Sequence, residues 1–289
     1  MKYLKFFPFL ILSIIPLPVL YVFSDFMYIL VYHLVKYRRP VVRTNLLNSF
    51  PHKSLIEITT IEKKFYKHFC DTAFESIKAL TLSKKAINER FIIKNTTLIE
   101  TLHKENMSVI LYTSHYGNWE WFSFLPLFFP HQVQAFYQEV SNSYFNDFML
   151  VLRSRFGVQC IESKQGYKTM VNMQQKRILT ATCMIGDQSP REKSSKHWMN
   201  FLHQETAFLV GADRIAEKLK QTILYVSVKK PTRGNYEIEF IPLEEGKSQN
   251  KDNGLITNYA TLLEQSIMEK PELWLWSHKR WKLNPLENK

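Results

Sequence analysis

From residue 91 onward, short apolar runs alternate with stretches of helical periodicity, and that alternation leaves few architectures open. The runs 91–93, 108–113, 133–137, 158–161, 178–185, 223–228 and 236–241 read as strands. Between them, 96–103, 120–129, 144–155, 167–175, 207–220 and 255–268 carry helical spacing. Strands interleaved with helices predict an α/β fold, a single sandwich domain whose mixed, largely parallel central sheet is flanked by helices. Two helices are expected ahead of it. One is short, over 41–50, and one long, over 54–80, with Ile58, Ile61, Phe65, Phe69, Phe74 and Ile77 at helical spacing. Residues 246–254 are polar and read as a surface loop.

The first residues are of another kind. Residues 6–23 form an uncharged run of 18, just the length needed to cross a bilayer. Ser24-Asp25 breaks it, a second apolar run covers 26–35, and Pro8, Pro16 and Pro18 would bend any helix there. No small-residue cleavage site follows, so a removable signal peptide is not expected. The expected organisation is a membrane anchor over 1–37, spanning or bent within one leaflet, and a catalytic domain over 38–289. Lys36, Arg38, Arg39 and Arg43 follow the segment, against Lys2 and Lys5 before it, which places the catalytic domain in the cytoplasm.

Basic residues outnumber acidic ones by 38 to 26, a net charge of +12 that attracts anionic lipid, acidic protein or nucleic acid. No zinc finger, RNA-recognition signature or basic repeat is present, so no nucleic-acid partner is expected. Cys70, Cys160 and Cys183 are scattered and odd in number, which suits buried thiols in a reducing compartment. His115, His197, His203 and His278 lack ligand spacing, so neither metal nor cofactor is expected.

The chemistry centres on His115 and Glu120, which follow the apolar run Val109-Ile110-Leu111-Tyr112. That order sets a base at the end of a buried strand. The carboxylate falls in the first turn of the next helix, where it can fold back to hold the imidazole. A neutral histidine with its second nitrogen partnered is what a hydroxyl nucleophile needs to lose its proton. Gly117 and Asn118 offer a tight turn and a helix cap. His52 and Glu57 repeat the spacing, but after Phe50-Pro51 they open a polar helical pattern and read as a solvated helix start.

Four further segments complete a candidate site, one of them residues 198–206, directly ahead of the helix expected over 207–220. Arg155 ends a helix before a strand, either solvated or binding a phosphate bidentately. Asp187, in Gly186-Asp187-Gln188, follows an apolar strand at the end where α/β folds keep their chemistry. It either orients the histidine or an arginine, or makes an Asx turn. Trp274, Trp276 and Trp281, interspersed with His278, Lys279 and Arg280, suit a membrane-interface or lipid-headgroup surface.

In order along the chain, Arg43-Thr44-Asn45-Leu46 with Ser49-Phe50-Pro51, the His115–Glu120 motif, Gly186-Asp187-Gln188 and Trp276-Ser277-His278-Lys279-Arg280 resemble the late acyltransferases of lipid A synthesis, in the lysophospholipid acyltransferase superfamily. The resemblance implies transfer of a fatty acyl group from a thioester, usually on acyl carrier protein, to a hydroxyl of a lipid A precursor at the bacterial inner membrane. It implies His115, Glu120 and Asp187 as catalytic residues, with Arg155, Asn118, Gln188, His278 and Arg280 binding substrate. Ser189-Pro190 replaces the family's second acid, the proline before the aspartate is missing, and Phe201-Leu202-His203 stands for a Phe-x-Gly segment. These departures bear on acceptor and acyl chain rather than on the reaction. A glycolipid, aminolipid or lysophospholipid acceptor is the nearest alternative. A serine esterase using Ser114 and a non-catalytic lipid-binding protein are the more distant ones.

Overall fold

In a computed structural model, described over residues 4–191, 194, 196–243 and 254–283, the apolar runs become strands. These are β1 (Phe91–Ile93), β2 (Val109–Thr113), β3 (Gln132–Tyr137), β4 (Gln159–Glu162), β5 (Thr180–Ile185), β6 (Lys196–Phe201), β7 (Gln204–Leu209), β8 (Thr222–Thr232) and β9 (Asn235–Pro242). Among the described residues, seven of them form one sheet in the order β1-β9-β8-β2-β5-β3-β4. Every pairing in it is parallel except β8 with β9. The expected mixed, largely parallel sheet is therefore the one observed. β2 is buried at all of its positions, as a strand covered by helices on both faces must be. Burying Val109, Ile110 and Leu111 contributes about 1.5–3 kcal/mol each.

The helices are α1 (Phe7–Ile14), α2 (Leu17–Ile29), α3 (Arg39–Ser49), α4 (Leu55–Lys78), α5 (Lys84–Arg90), α6 (Thr96–Lys104), α7 (Ser143–Ser154), α8 (Gly166–Gln175), α9 (Gly211–Leu219) and α10 (Gly254–Glu269). A π-helical turn, Leu30–Leu34, prolongs α2. The N-terminal helices pack on α4, which begins with a capping box. The Ser54 Oγ accepts from the Glu57 N–H, and the Glu57 carboxylate accepts from the Ser54 N–H at 2.8 Å. Glu57 is thus a helix-start residue, as its sequence context suggested. The expected loop over 246–254 lies outside the described residues, except that Gly254 opens α10.

Two elements differ from expectation. Residues 120–129 form not an α-helix but a 3-10 helix, Trp119–Leu127, with Pro126 inside it near its end. The expected helix over 207–220 begins only at Gly211; Ala207 belongs to β7, which pairs antiparallel with β6. The turn between them, Leu202-His203, holds both residues at positive φ, +51° and +61°, the geometry of a type I′ hairpin that ordinarily uses Asn-Gly. Neither side chain announces such a turn. Leu202 is buried and its N–H donates to the Glu264 carboxylate at 2.7 Å, whereas His203 is exposed. Changing His203→Gly should therefore stabilise the protein by about 0.5 kcal/mol, visible as a higher urea midpoint at unchanged slope.

Candidate active site

Parallel pairing of β2 with β5 sets Thr113 beside Ile185. Two residues further on, His115 and Asp187 leave the sheet side by side at the carboxyl ends of adjacent strands. The His115 Nδ1 lies 2.7 Å from the Asp187 Oδ1, and the His115 backbone N–H donates to Oδ2 at 2.9 Å. A third donor, the Trp274 indole N–H, reaches Oδ2 at 2.8 Å. Burial alone would raise the Asp187 pKa. The hydrogen bonds from His115 and Trp274, with the positive charge the imidazole carries when protonated, outweigh it and hold the carboxyl below its usual range. An ionised carboxylate only accepts, so Nδ1 carries a proton, and in the neutral imidazole Nε2 is the nitrogen with the lone pair. That lone pair faces the Gln188 amide, whose Nε2 is 3.2 Å away on the exposed side of the site.

Two glycines make this geometry possible. A Cβ on Gly186 would lie 2.3 Å from the Tyr112 ring, itself stacked on Tyr259 with centroids 3.9 Å apart. Gly117 has φ +69°, and a Cβ there would meet Val228 Cγ1 at 2.7 Å. Around Gly117 the backbone is clamped to the C-terminal segment. The Gly117 N–H donates to the Leu273 carbonyl, the Leu275 N–H donates to the His115 carbonyl, both at 3.0 Å, and Tyr116 bridges antiparallel to Trp274.

Residues that spacing did not single out support the loop from α4. The His68 Nε2 lies 3.2 Å from the Gly117 carbonyl, and its Nδ1 lies 3.1 Å from the Lys230 Nζ. An ammonium only donates, so Nδ1 accepts and Nε2–H holds the carbonyl. Glu75, wholly buried, accepts from Asn118 Nδ2 (2.8 Å), Tyr21 OH (2.9 Å) and Tyr236 OH (2.7 Å). The signal for these residues was present. His68, Asp71 and Glu75 put polar groups at three- and four-residue spacing on the otherwise apolar face of a helix.

A family model for the bacterial lipid A biosynthesis acyltransferase matches residues 1–283. The chain belongs to this family. No curated protein matches it. In this acyltransferase the HX4E motif divides its labour differently from the sequence expectation. Glu120 does not fold back onto His115. Its carboxylate takes a two-pronged ion pair from Arg153, Nε to Oε2 at 2.8 Å and Nη2 to Oε1 at 2.6 Å, and accepts from the Trp119 indole at 3.1 Å. The 3-10 helix turns Glu120 toward α7, and the imidazole partner comes from the neighbouring strand instead. Trp119 links the two, its ring meeting His115 edge-to-face at 5.0 Å between centroids.

The other expected site residues are engaged within the fold. The Arg155 guanidinium donates to the Ala79 and Leu82 carbonyls beyond the end of α4. Arg280 is buried at 2% exposure, donates to the Ala207 carbonyl of β7 at 2.7 Å and stacks on Phe208. It therefore fastens the hairpin rather than facing solvent. Desolvation drops its pKa to about 10. Trp274 and Trp276 lie in the core, not on a headgroup-facing surface, because their indoles are used on Asp187 and the Pro271 carbonyl. Asn118 caps no helix with its side chain; its amide is given to Glu75. Of the expected substrate binders, Gln188 comes within hydrogen-bond distance of the His115 ring.

His278 Nδ1 is buried with no hydrogen-bond partner among the described residues, and burial pushes the ring pKa down to about 4. Burial, helped by the Lys230 charge, pushes His68 well below 6.5. Both rings are neutral in the fold, and an unfolded chain would protonate them near pH 6.5. The stability from keeping them neutral is thus fully present above about pH 6.5 and is lost as pH falls toward 4. Melting temperature should drop across that window, and His278→Gln should flatten the decline.

Proposed function

We propose that the enzyme moves a fatty acyl group from a thioester on acyl carrier protein to a hydroxyl of a lipid A precursor, with His115 as general base. The observation that carries this reading is the 2.7 Å bond between Asp187 Oδ1 and His115 Nδ1, which leaves Nε2 as the basic nitrogen on the open side. Nε2 removes the proton from the acceptor hydroxyl as its oxygen attacks the thioester carbonyl carbon. The tetrahedral intermediate collapses with loss of the carbon–sulfur bond, and the thiolate takes the proton back from the imidazolium. Asp187 stabilises that imidazolium without itself being protonated. An acyl-enzyme is not required, and the Gly-x-Ser-x-Gly elbow that would make one is absent from the sequence. Gln188 must leave the lone pair for the acceptor to reach it, and its amide then lies in position to bind the acceptor oxygen.

On this reading residues 1–37 anchor the enzyme at the bacterial inner membrane and 38–289 form the catalytic domain on the cytoplasmic side. The net charge of +12 draws in the acidic carrier protein and anionic lipid. Transfer should consequently weaken as salt is raised. The test is acyl transfer by detergent-solubilised protein, wild type against His115→Ala, with labelled acyl carrier protein and a lipid extract lacking late acylations. Label entering a lipid A band with wild type only is the expected result. Label entering another lipid would keep the mechanism and replace the acceptor. Equal transfer by both proteins would overturn the role of His115.

A further inference from the structure

The apolar N-terminal stretch carries a geometric contradiction if it is taken to cross a bilayer. Leu17–Leu34 is an 18-residue apolar helix, long enough by length and composition to span. Its midpoint falls at Asp25, about 12 Å along the axis from either end. That midpoint is where the helix is most firmly attached to the rest of the protein. Asp25 pairs with Arg233 at 2.7 Å, at the turn between β8 and β9, and Ser24 Oγ donates to Asp71 of α4 at 2.7 Å. One turn earlier, Tyr21 donates to Glu75 at 2.9 Å. Just before α2, the Lys78 ammonium holds the Ser13 and Ile15 carbonyls at 2.8 and 2.9 Å. A spanning α2 would carry Arg233, Asp71 and Glu75 to the bilayer centre, or break every one of these contacts.

The opposite side of the same helix is bare and apolar. Val19, Val22, Phe23, Phe26 and Ile29 fall on one helical stripe and are 46–67% exposed. Phe7, Ile11 and Ile14 continue the exposed apolar surface along α1. Exposed cations lie on the neighbouring elements. Lys63, Lys64 and Lys67 share the exposed side of α4, with Lys67 Nζ 5.4 Å from the Tyr28 ring of α2, and Lys36 and Arg38 are exposed just beyond the π-helical turn. An apolar helical face flanked by lysines is what lies in a headgroup–acyl boundary.

We infer that α1, α2 and the π-helical turn lie flat in one leaflet of an anionic bilayer, held there by the apolar stripe and by Lys63, Lys64 and Lys67 on lipid phosphates. The helix axis runs parallel to the membrane. The sheet and its catalytic end stay on the side from which the stripe is immersed. The inference builds on the acyl-transfer reading only in that a lipid substrate brings the enzyme to a membrane.

The experiment uses the full chain bound to vesicles of phosphatidylethanolamine and phosphatidylglycerol, with nitroxide labels on single cysteines replacing Val19, Phe26, Ile29 and Leu34. Oxygen and nickel-chelate accessibility report depth. Similar shallow immersion of all four labels is the expected result. A depth that peaks near residue 26 and falls toward both ends would overturn it in favour of a crossing helix. Water-accessible labels, or a dimer whose stripe stays covered when vesicles are added, would overturn it in favour of an aqueous face or a second copy. Lys63→Glu, Lys64→Glu and Lys67→Glu together should weaken binding to these vesicles about a hundredfold and leave weak binding to phosphatidylcholine vesicles unchanged. Equal binding by the triple variant would overturn the role of the lysines. Acyl transfer in detergent, measured alongside, separates a failure of this geometry from a failure of the acyltransferase reading.

Discussion

Replacing Asp187 by asparagine should lower kcat on the order of 10²–10⁴-fold, close to the loss expected for His115→Ala, with little change in KM. The carboxylate accepts from the imidazole, from the His115 backbone and from the Trp274 indole. An asparagine keeps the shape and can still accept from the two fixed N–H groups with its oxygen. Its amide nitrogen then faces Nδ1, so the imidazole proton must move to Nε2. The ring would be present and correctly placed but would have no lone pair on the substrate side. Steady-state kinetics and a thermal melt check this together: a large fall in kcat with a nearly unchanged melting temperature supports it. Because Asp187 is held below its ordinary pKa, it stays ionised throughout the neutral range. Its contribution to stability is present above pH 4 or so, and fades only as acid protonates it below its usual value of 3.8.

Glu120→Leu should show the opposite balance. Its side chain is 9% exposed and Arg153 keeps only 29% of its side chain in water, so removing one partner leaves a mostly buried charge without the other. Such breaks cost about 3–5 kcal/mol, and the residual hydration of Arg153 favours the lower end. A loss of about 3 kcal/mol lowers the melting temperature of a chain this size by several degrees. Adding Arg153→Leu should recover a large part of the loss, since two apolar groups can then pack where an ion pair stood. Folded Glu120→Leu protein should still turn over, with kcat lowered only through the Trp119 ring that abuts His115. A variant as dead as Asp187→Asn but fully stable would instead make Glu120 a direct catalytic group.

The contrast between these two carboxylates marks how far the sequence could be read. The strands were legible because buried parallel strands are apolar at every position, as the β2 residues 109–113 are. The place of His115 was legible because a residue directly after such a strand stands at the end of a sheet. Its partner was harder. Glu120 is near in sequence, while Asp187 is 72 residues away and becomes adjacent only through the β2–β5 register. Strand order is set by packing over the whole sheet, and spacing within one segment cannot give it. The same holds for Arg155 and Arg280, whose guanidiniums look free in a string of letters but are taken up by backbone carbonyls in the fold. The β6–β7 hairpin was missed for a local reason, since Leu202-His203 adopts a turn that usually calls for glycine.

The clamp between residues 115–117 and 273–275 makes two distant parts of the chain answer for one another. The Trp274 indole holds the Asp187 carboxylate, and the backbone on either side of Trp274 holds the backbone at His115 and Gly117. A proteolytic cut just before residue 273 should therefore loosen the His115–Asp187 pair even where the sheet stays folded.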